Sequence, residues 1–342
     1  MSLQSWTRAL AAFAGGALLL AAGAIAASPA AAPQPDLEAM TRAVQAVVGV
    51  RVVAAEGARS AETLGRQRSG SGVVIGPDGL VLTIGYLVLE SDSIQLTTHD
   101  QRVIPARAVG YDQATGFGLV QALLPLRGIV PVRLGSATGT PVPSAAVAVT
   151  GGADGGMGLT QLLSNRPFSG YWEYHIGSAL FTSPPLPDHS GAALFDPRGE
   201  LLGIGSLFVG DALGDGSGRA GNMFVPVDLL KPILAELRQT GSTRASHRPW
   251  LGLNSVERDG RVQVVRVNRD SPAQVAGIVS GDVVLAVDGE RVDSLGSFYG
   301  KLWARPEPEA EIRLTVQHGD SVRQVTVRAT DRMKTLRKPS GI

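Results

Sequence analysis

Ser190 lies in the run PDHSGAALFDPRGELLGIGSL, residues 187–207. A serine set in a small-residue turn and followed by an apolar run can present its hydroxyl to an adjacent base. Successive backbone N–H groups of such a turn can converge as an oxyanion hole. The chemistry implied is nucleophilic attack on an acyl carbon; the plain alternative is a Ser-Gly turn between two strands. An imidazole base has to come from His99, His175, His189, His247 or His318. His189 adjoins Ser190, and neighbouring side chains on an extended turn point apart. His175, in the run YHIGSAL that leads toward the serine loop, is the one to inspect first. For each of the five the alternative is an exposed or locally bonded imidazole. No His/Asp/Glu pair shows ligand spacing on a recognisable element, so neither a metal site nor a cofactor is expected.

These residues need a β-rich frame. The chain has 342 residues, enough for two or three domains, with 43 Gly, 21 Pro and many short Val/Leu runs. Its 31 basic and 30 acidic residues leave a net charge of +1, which excludes the electrostatic footprint of a nucleic-acid binder. It has no Cys, which excludes disulfides, thiolate-zinc sites and a cysteine nucleophile. Residues 1–27 read as a signal peptide: one Arg, an apolar stretch from Ala9, and Ala24-Ile25-Ala26 as cleavage signal. The alternative is an N-terminal anchor through residues 9–27. Residues 28–37 are a Pro/Ala-rich linker.

Asp36 caps a short helix, and Val47 to Val53 is a strand. Residues 55–68 are small and polar, a mobile loop. Gly70 to Val88 reads as a hairpin around Gly76-Pro77-Asp78-Gly79, and further runs to Leu124 complete one small barrel. A second series from Val130 to Pro226 makes a second barrel, the two filling residues 38–238. Val227 to Leu237 reads as a closing helix. Residues 239–248 are an interdomain linker, residues 249–330 an α+β module, and 331–342 a basic, solvated tail.

The chain resembles the HtrA (DegP/Deg-like) family, exported trypsin-like serine proteases with a C-terminal PDZ domain. The resemblance is carried by GSGVVIGPDGLVLT at Gly70 to Thr83, VGYD at Val109 to Asp112, SGAALFDPRGELLGI at Ser190 to Ile204 and SPAQVAGIVSGDVVLAVDGERV at Ser271 to Val292. It implies two trypsin-like antiparallel β-barrels followed by an α+β PDZ domain. It also implies where the catalytic residues should stand. The histidine position of the family is Tyr86 here, the aspartate position is Gly116, and Asp112 is a turn residue. The serine position is Ser190. The residue two before it, ordinarily a glycine for conformational reasons, is Asp188, whose carboxylate would repel a developing oxyanion. In the PDZ part, Trp250-Leu251-Gly252-Leu253 resembles the loop that offers N–H groups to a peptide's terminal carboxylate. Phe298 and Leu302, spaced i, i+4, either line its pocket or pack the helix on the sheet.

A phenol with a pKa near 10 is a poor base at pH 7. Removing the base from such a triad costs on the order of 10⁶ in kcat, about 8 kcal/mol of barrier. The expectation is therefore a periplasmic or otherwise extracytoplasmic pseudoprotease. It would serve protein quality control by binding peptides or unfolded proteins with exposed apolar C-termini through an open PDZ groove. Two alternatives stand beside it: a serine endopeptidase with another base, and a regulatory subunit. Family members are usually trimers, so a homo-trimer or an assembly with active HtrA-type proteases is the expected association.

Overall fold

A computed structural model describes residues 36–337 of the chain. The signal-peptide or anchor reading and nearly all of the 28–37 linker lie outside the described residues.

Asp36 caps α1 (Leu37–Gln45) by accepting the Ala39 N–H at 2.9 Å. The first barrel then closes from β1 (Val47–Ala54), β2 (Gln67–Val74), β3 (Leu80–Ile84), β4 (Ser91–Thr97), β5 (Val103–Tyr111) and β6 (Phe117–Ala122), in the order β1-β2-β3-β6-β5-β4. Its β-branched runs suit a closed sheet whose inner positions all need apolar side chains. Val50, Val52, Val73, Leu82, Leu96 and Leu119 fill it. The second barrel closes in the order β10-β11-β12-β9-β8-β7. Its strands are β7 (Ser144–Val149), β8 (Met157–Gly170), β9 (Tyr174–Ser183), β10 (Ala193–Phe195), β11 (Leu201–Val209) and β12 (Gly221–Pro226).

The last unit has its own core. It is built on the sheet β14 (Leu253–Arg258), β15 (Arg261–Val267), β16 (Val283–Val287), β18 (Glu311–His318) and β19 (Ser321–Arg328), with β17 (Glu290–Arg291) beside β16. Against the sheet lie α5 (Pro272–Val275), capped by Ser271, and α6 (Leu295–Trp303), whose Leu295, Phe298, Tyr299 and Leu302 are buried. β13 (Pro249–Trp250) pairs with β20 (Thr330–Asp331) at the base of this unit.

Several expectations are corrected. Residues 55–68 are not one open loop: α2 (Ala61–Leu64) and the start of β2 lie within them. The Gly70 to Val88 hairpin ends early, because Gly85–Val88 turns into a short helix, α3. Val130 to Leu134 makes a single bridge, Leu134 to Leu201, since Pro131 offers no N–H to a ladder. The expected closing helix is split by Pro232 into a 3₁₀ turn at Val227–Leu229 and α4 (Leu234–Thr240).

The 239–248 linker and the start of the 331–342 tail are both fastened down. Asp112, fully buried, accepts the Thr115 N–H at 2.9 Å and hydroxyls from Thr115 at 2.6 Å, Ser246 at 2.5 Å and Thr243. A buried carboxylate is tolerable only when its oxygens are matched, and here the linker supplies half of the donors. Asp331 binds His247 at 2.7 Å and caps α7 (Arg332–Thr335). The Arg337 N–H then reaches Glu90 at 3.0 Å. Asp112→Ala strands three buried hydroxyls, so we expect a loss of about 2–4 kcal/mol, read as a lower denaturant midpoint.

Candidate functional site

Ser190 stands where the two barrels meet. Its carbonyl accepts the Ser71 N–H of β2 at 2.8 Å, and the Ser71 hydroxyl accepts the Gly151 N–H at 3.0 Å. The next residue must be glycine: Gly191 has φ +74°, and a Cβ there would lie 2.0 Å from the Ser71 carbonyl oxygen. Gly191 N–H donates to Gly205 at 2.8 Å and Ala192 N–H to His189 at 3.0 Å, locking the turn before β10.

α3 brings Tyr86 to the serine. It starts at Gly85, where a Cβ would lie 2.4 Å from the Tyr111 ring. The Tyr86 hydroxyl lies 2.8 Å from Ser190 Oγ and 3.0 Å from the Ser206 carbonyl. One arrangement satisfies both contacts: Tyr86 donates to Ser206 and accepts from Ser190. Burial pushes the phenol above its ordinary pKa, against the bond to Ser190. The group beside Ser190 is thus a protonated hydroxyl, which cannot take the serine's proton.

Gly116 carries no side chain into this region. It has φ +85°, donates its N–H to the Asp112 carbonyl at 2.7 Å and accepts the Gly85 N–H at 2.7 Å. A Cβ there would meet the Tyr174 hydroxyl at 3.2 Å. Tyr174 donates to the Thr115 carbonyl at 2.5 Å. Asp112 is the structural turn residue that the sequence suggests.

No imidazole bonds Ser190. His189 turns back to the Pro187 carbonyl at 3.0 Å. His175 is corrected: it points away from the serine loop, bonds Ser169 at 2.8 Å and faces Gly296 of α6. Burial, then Arg248, lowers its pKa, so it is neutral at pH 7. His247 and His318 bond Asp331 and Asp282, and His99 is exposed in the β4–β5 turn. Asp188 is also corrected. It is exposed and absent from the positive-φ residues, because the left-handed position of this turn falls on Gly191. Among the described residues no group of three or more His, Asp or Glu is placed to hold a metal.

The second candidate site is the loop between β13 and β14. The sequence leads to the expectation of unpaired N–H groups at Leu251 to Leu253, and the structure corrects it. Leu251 N–H donates to one oxygen of Glu173 at 3.0 Å, and Gly252 and Leu253 N–H both donate to the other at 2.7 Å. Glu173 comes from the β8–β9 turn and is only 2% exposed. Burial raises its pKa, opposed by the three N–H bonds. Sequence reasoning missed this residue, since Tyr171 to Tyr174 reads as a strand of the second barrel, whereas residues 171–173 form the turn between β8 and β9. Trp250 is buried at the base of the loop, and Phe298 and Leu302 are fully buried in α6.

A trypsin-like peptidase domain profile matches residues 70–204, and a PDZ domain profile matches residues 249–329. The chain is 27% identical over 283 residues to "Probable periplasmic serine endoprotease DegP-like" of Halomonas elongata, covering 78% of this chain and 57% of that protein. It thus spans little more than half the length of that relative. Among solved structures it is similar to the HtrA-type protease AlgW with a tripeptide, at a TM-score of 0.52 and 20% identity over 88% of this chain and 97% of that one. A serine endoprotease from Yersinia pestis follows at a TM-score of 0.51 and 20% identity, over 86% and 97%. At these identities the structural likeness speaks for the fold. Two closed barrels with a serine turn between them, then a PDZ unit, make this chain similar to the HtrA-type proteins: a trypsin-like peptidase domain followed by a C-terminal PDZ domain.

Proposed function

We propose that this chain is an extracytoplasmic HtrA-like protein that binds peptide without cutting it. One observation carries the reading: the group 2.8 Å from the Ser190 hydroxyl is the partly buried phenol of Tyr86. In the roles assigned from the family, Tyr86 holds the place of the base, Gly116 that of the carboxylate which orients it, and Asp188 with His189 and Ser190 the oxyanion-hole turn. Losing the base alone costs on the order of 10⁶ in kcat. A phenol held above its usual pKa does not recover it.

Binding falls to the PDZ unit, through the Trp250 to Leu253 loop and the pocket side of Phe298 and Leu302, with apolar chain termini or unfolded chain as ligands. The relative's printed name, a periplasmic endoprotease, supports a location outside the cytoplasm; no helix among the described residues is long and apolar enough to cross a membrane. Assembly as a homo-trimer, or with active HtrA-type proteases as a regulatory subunit, belongs to the same reading. The retained Ser190 favours the second reading, a serine endopeptidase.

Fluorophosphonate labelling and casein digestion by the purified chain, with Ser190→Ala as control, separate the two. We expect neither reaction above the control; labelling and digestion that vanish in Ser190→Ala would overturn the inactive reading. Tyr86→His is expected to stay inactive by the same assays, because Gly116 supplies no carboxylate and Tyr174 fills the space beside it.

Tyr86 also sets a pH dependence. Its pKa is raised on folding, so above pH 10 the folded state keeps a proton that the unfolded state releases. Stability therefore falls as pH rises from about 10, by up to about 1.4 kcal/mol per pH unit for one group. Urea unfolding of Tyr86→Phe should show a shallower alkaline slope than the parent.

A further inference from the structure

We propose that the turn Gly170–Glu173 is a tethered ligand of the PDZ groove, and that a free chain terminus enters this groove only by displacing it. A PDZ groove holds its ligand in two ways: loop N–H groups take a carboxylate, and the ligand's main chain adds along an open sheet edge. The chain's own β8–β9 turn uses both. Three loop N–H groups hold the Glu173 carboxylate. On the edge strand β14, whose other side pairs with β15, the Ser255 N–H donates to the Tyr171 carbonyl at 2.8 Å. From α6, across the groove, the Tyr299 hydroxyl donates to the Gly170 carbonyl at 2.8 Å and accepts the Glu173 N–H at 3.3 Å.

The carboxylate is that of a side chain, so the groove accepts an internal acidic turn as well as a terminus. Being tethered, the turn competes at an effective concentration on the order of millimolar, so a free peptide binds more weakly than the bare groove allows. The docked state also carries costs that make it displaceable. Glu173 sits at φ 56°, in the left-handed region. Ser255 Oγ and Arg248 Nε, both beside the turn, are buried without a partner.

Only the second half of the proposal rests on the peptide-binding reading above, and the test separates the two. Glu173→Gly removes the carboxylate and suits the left-handed turn. Hydrogen–deuterium exchange of the Leu251–Leu253 amides is measured in the parent chain and in this variant. Anisotropy titrations of both use fluorescein-labelled ten-residue peptides ending in Ala, Val, Leu or Phe, each with a free or an amidated terminus. Expected are at least tenfold faster exchange in Glu173→Gly and at least tenfold tighter binding of the free-carboxylate peptides to it. Equal exchange rates in the two proteins would overturn the tethered ligand whatever the peptides do. Equal peptide affinities, with binding in both, would overturn the displacement. Faster exchange with no peptide bound by either protein would uphold the tethered ligand and sink the peptide-capture reading instead.

Discussion

Burying the Glu173 carboxylate constrains the whole arrangement. Removing such a group from water costs several kcal/mol unless its oxygens are matched. The match comes from a different folding unit, the three successive N–H groups of Leu251, Gly252 and Leu253. The middle donor must be glycine: Gly252 takes φ +83°, and a Cβ there would lie 2.3 Å from Ser271. Neither partner is satisfied alone, so the PDZ unit and the second barrel hold each other in one arrangement. Arg248 adds to the junction: its guanidinium stacks 3.5 Å over Trp303, and burial pushes its pKa down to about 10.

The linker makes the same kind of demand on the first barrel. Asp112 needs donors, and Thr243 and Ser246 are the nearest hydroxyls that residues 239–248 can bring. The chain leaving the barrels is thereby pinned before it enters the PDZ unit. Leu237, Gly241 and the Gly110–Tyr111 backbone pack closely at the same point, where the Tyr111 N–H donates to Gly241 at 2.9 Å.

The serine turn is held by its backbone. Gly191, Ser71 and Gly205 keep the backbone of the turn, and the two barrels close around it. Tyr86 fits because its hydroxyl finds Ser190 and Ser206, while its ring packs against the core. Packing and hydrogen bonding are satisfied by a phenol as well as by other groups of similar size; proton transfer is not. Stability therefore places no demand on a base at this position.

The two-barrel and PDZ architecture was legible in the sequence, because period-two apolar runs, glycine turns and capped starts such as Ser271-Pro272 are local properties of the chain. The expectations placed on Tyr86 and Gly116 came from the sequence by itself, read at fixed offsets from runs such as GSGVVIGPDGLVLT. What lay beyond it depended on partners distant in the chain. Glu173 and Leu253 are 80 residues apart, and Asp112 and Ser246 are 134 apart. The closing helix broke at Pro232, and His175 turned to α6, for reasons of backbone geometry and domain packing. A lone carboxylate in an aromatic turn carries no sign of what it will bind. Only the tertiary structure decides that, because a buried charge is stable only where folding delivers the donors that match it.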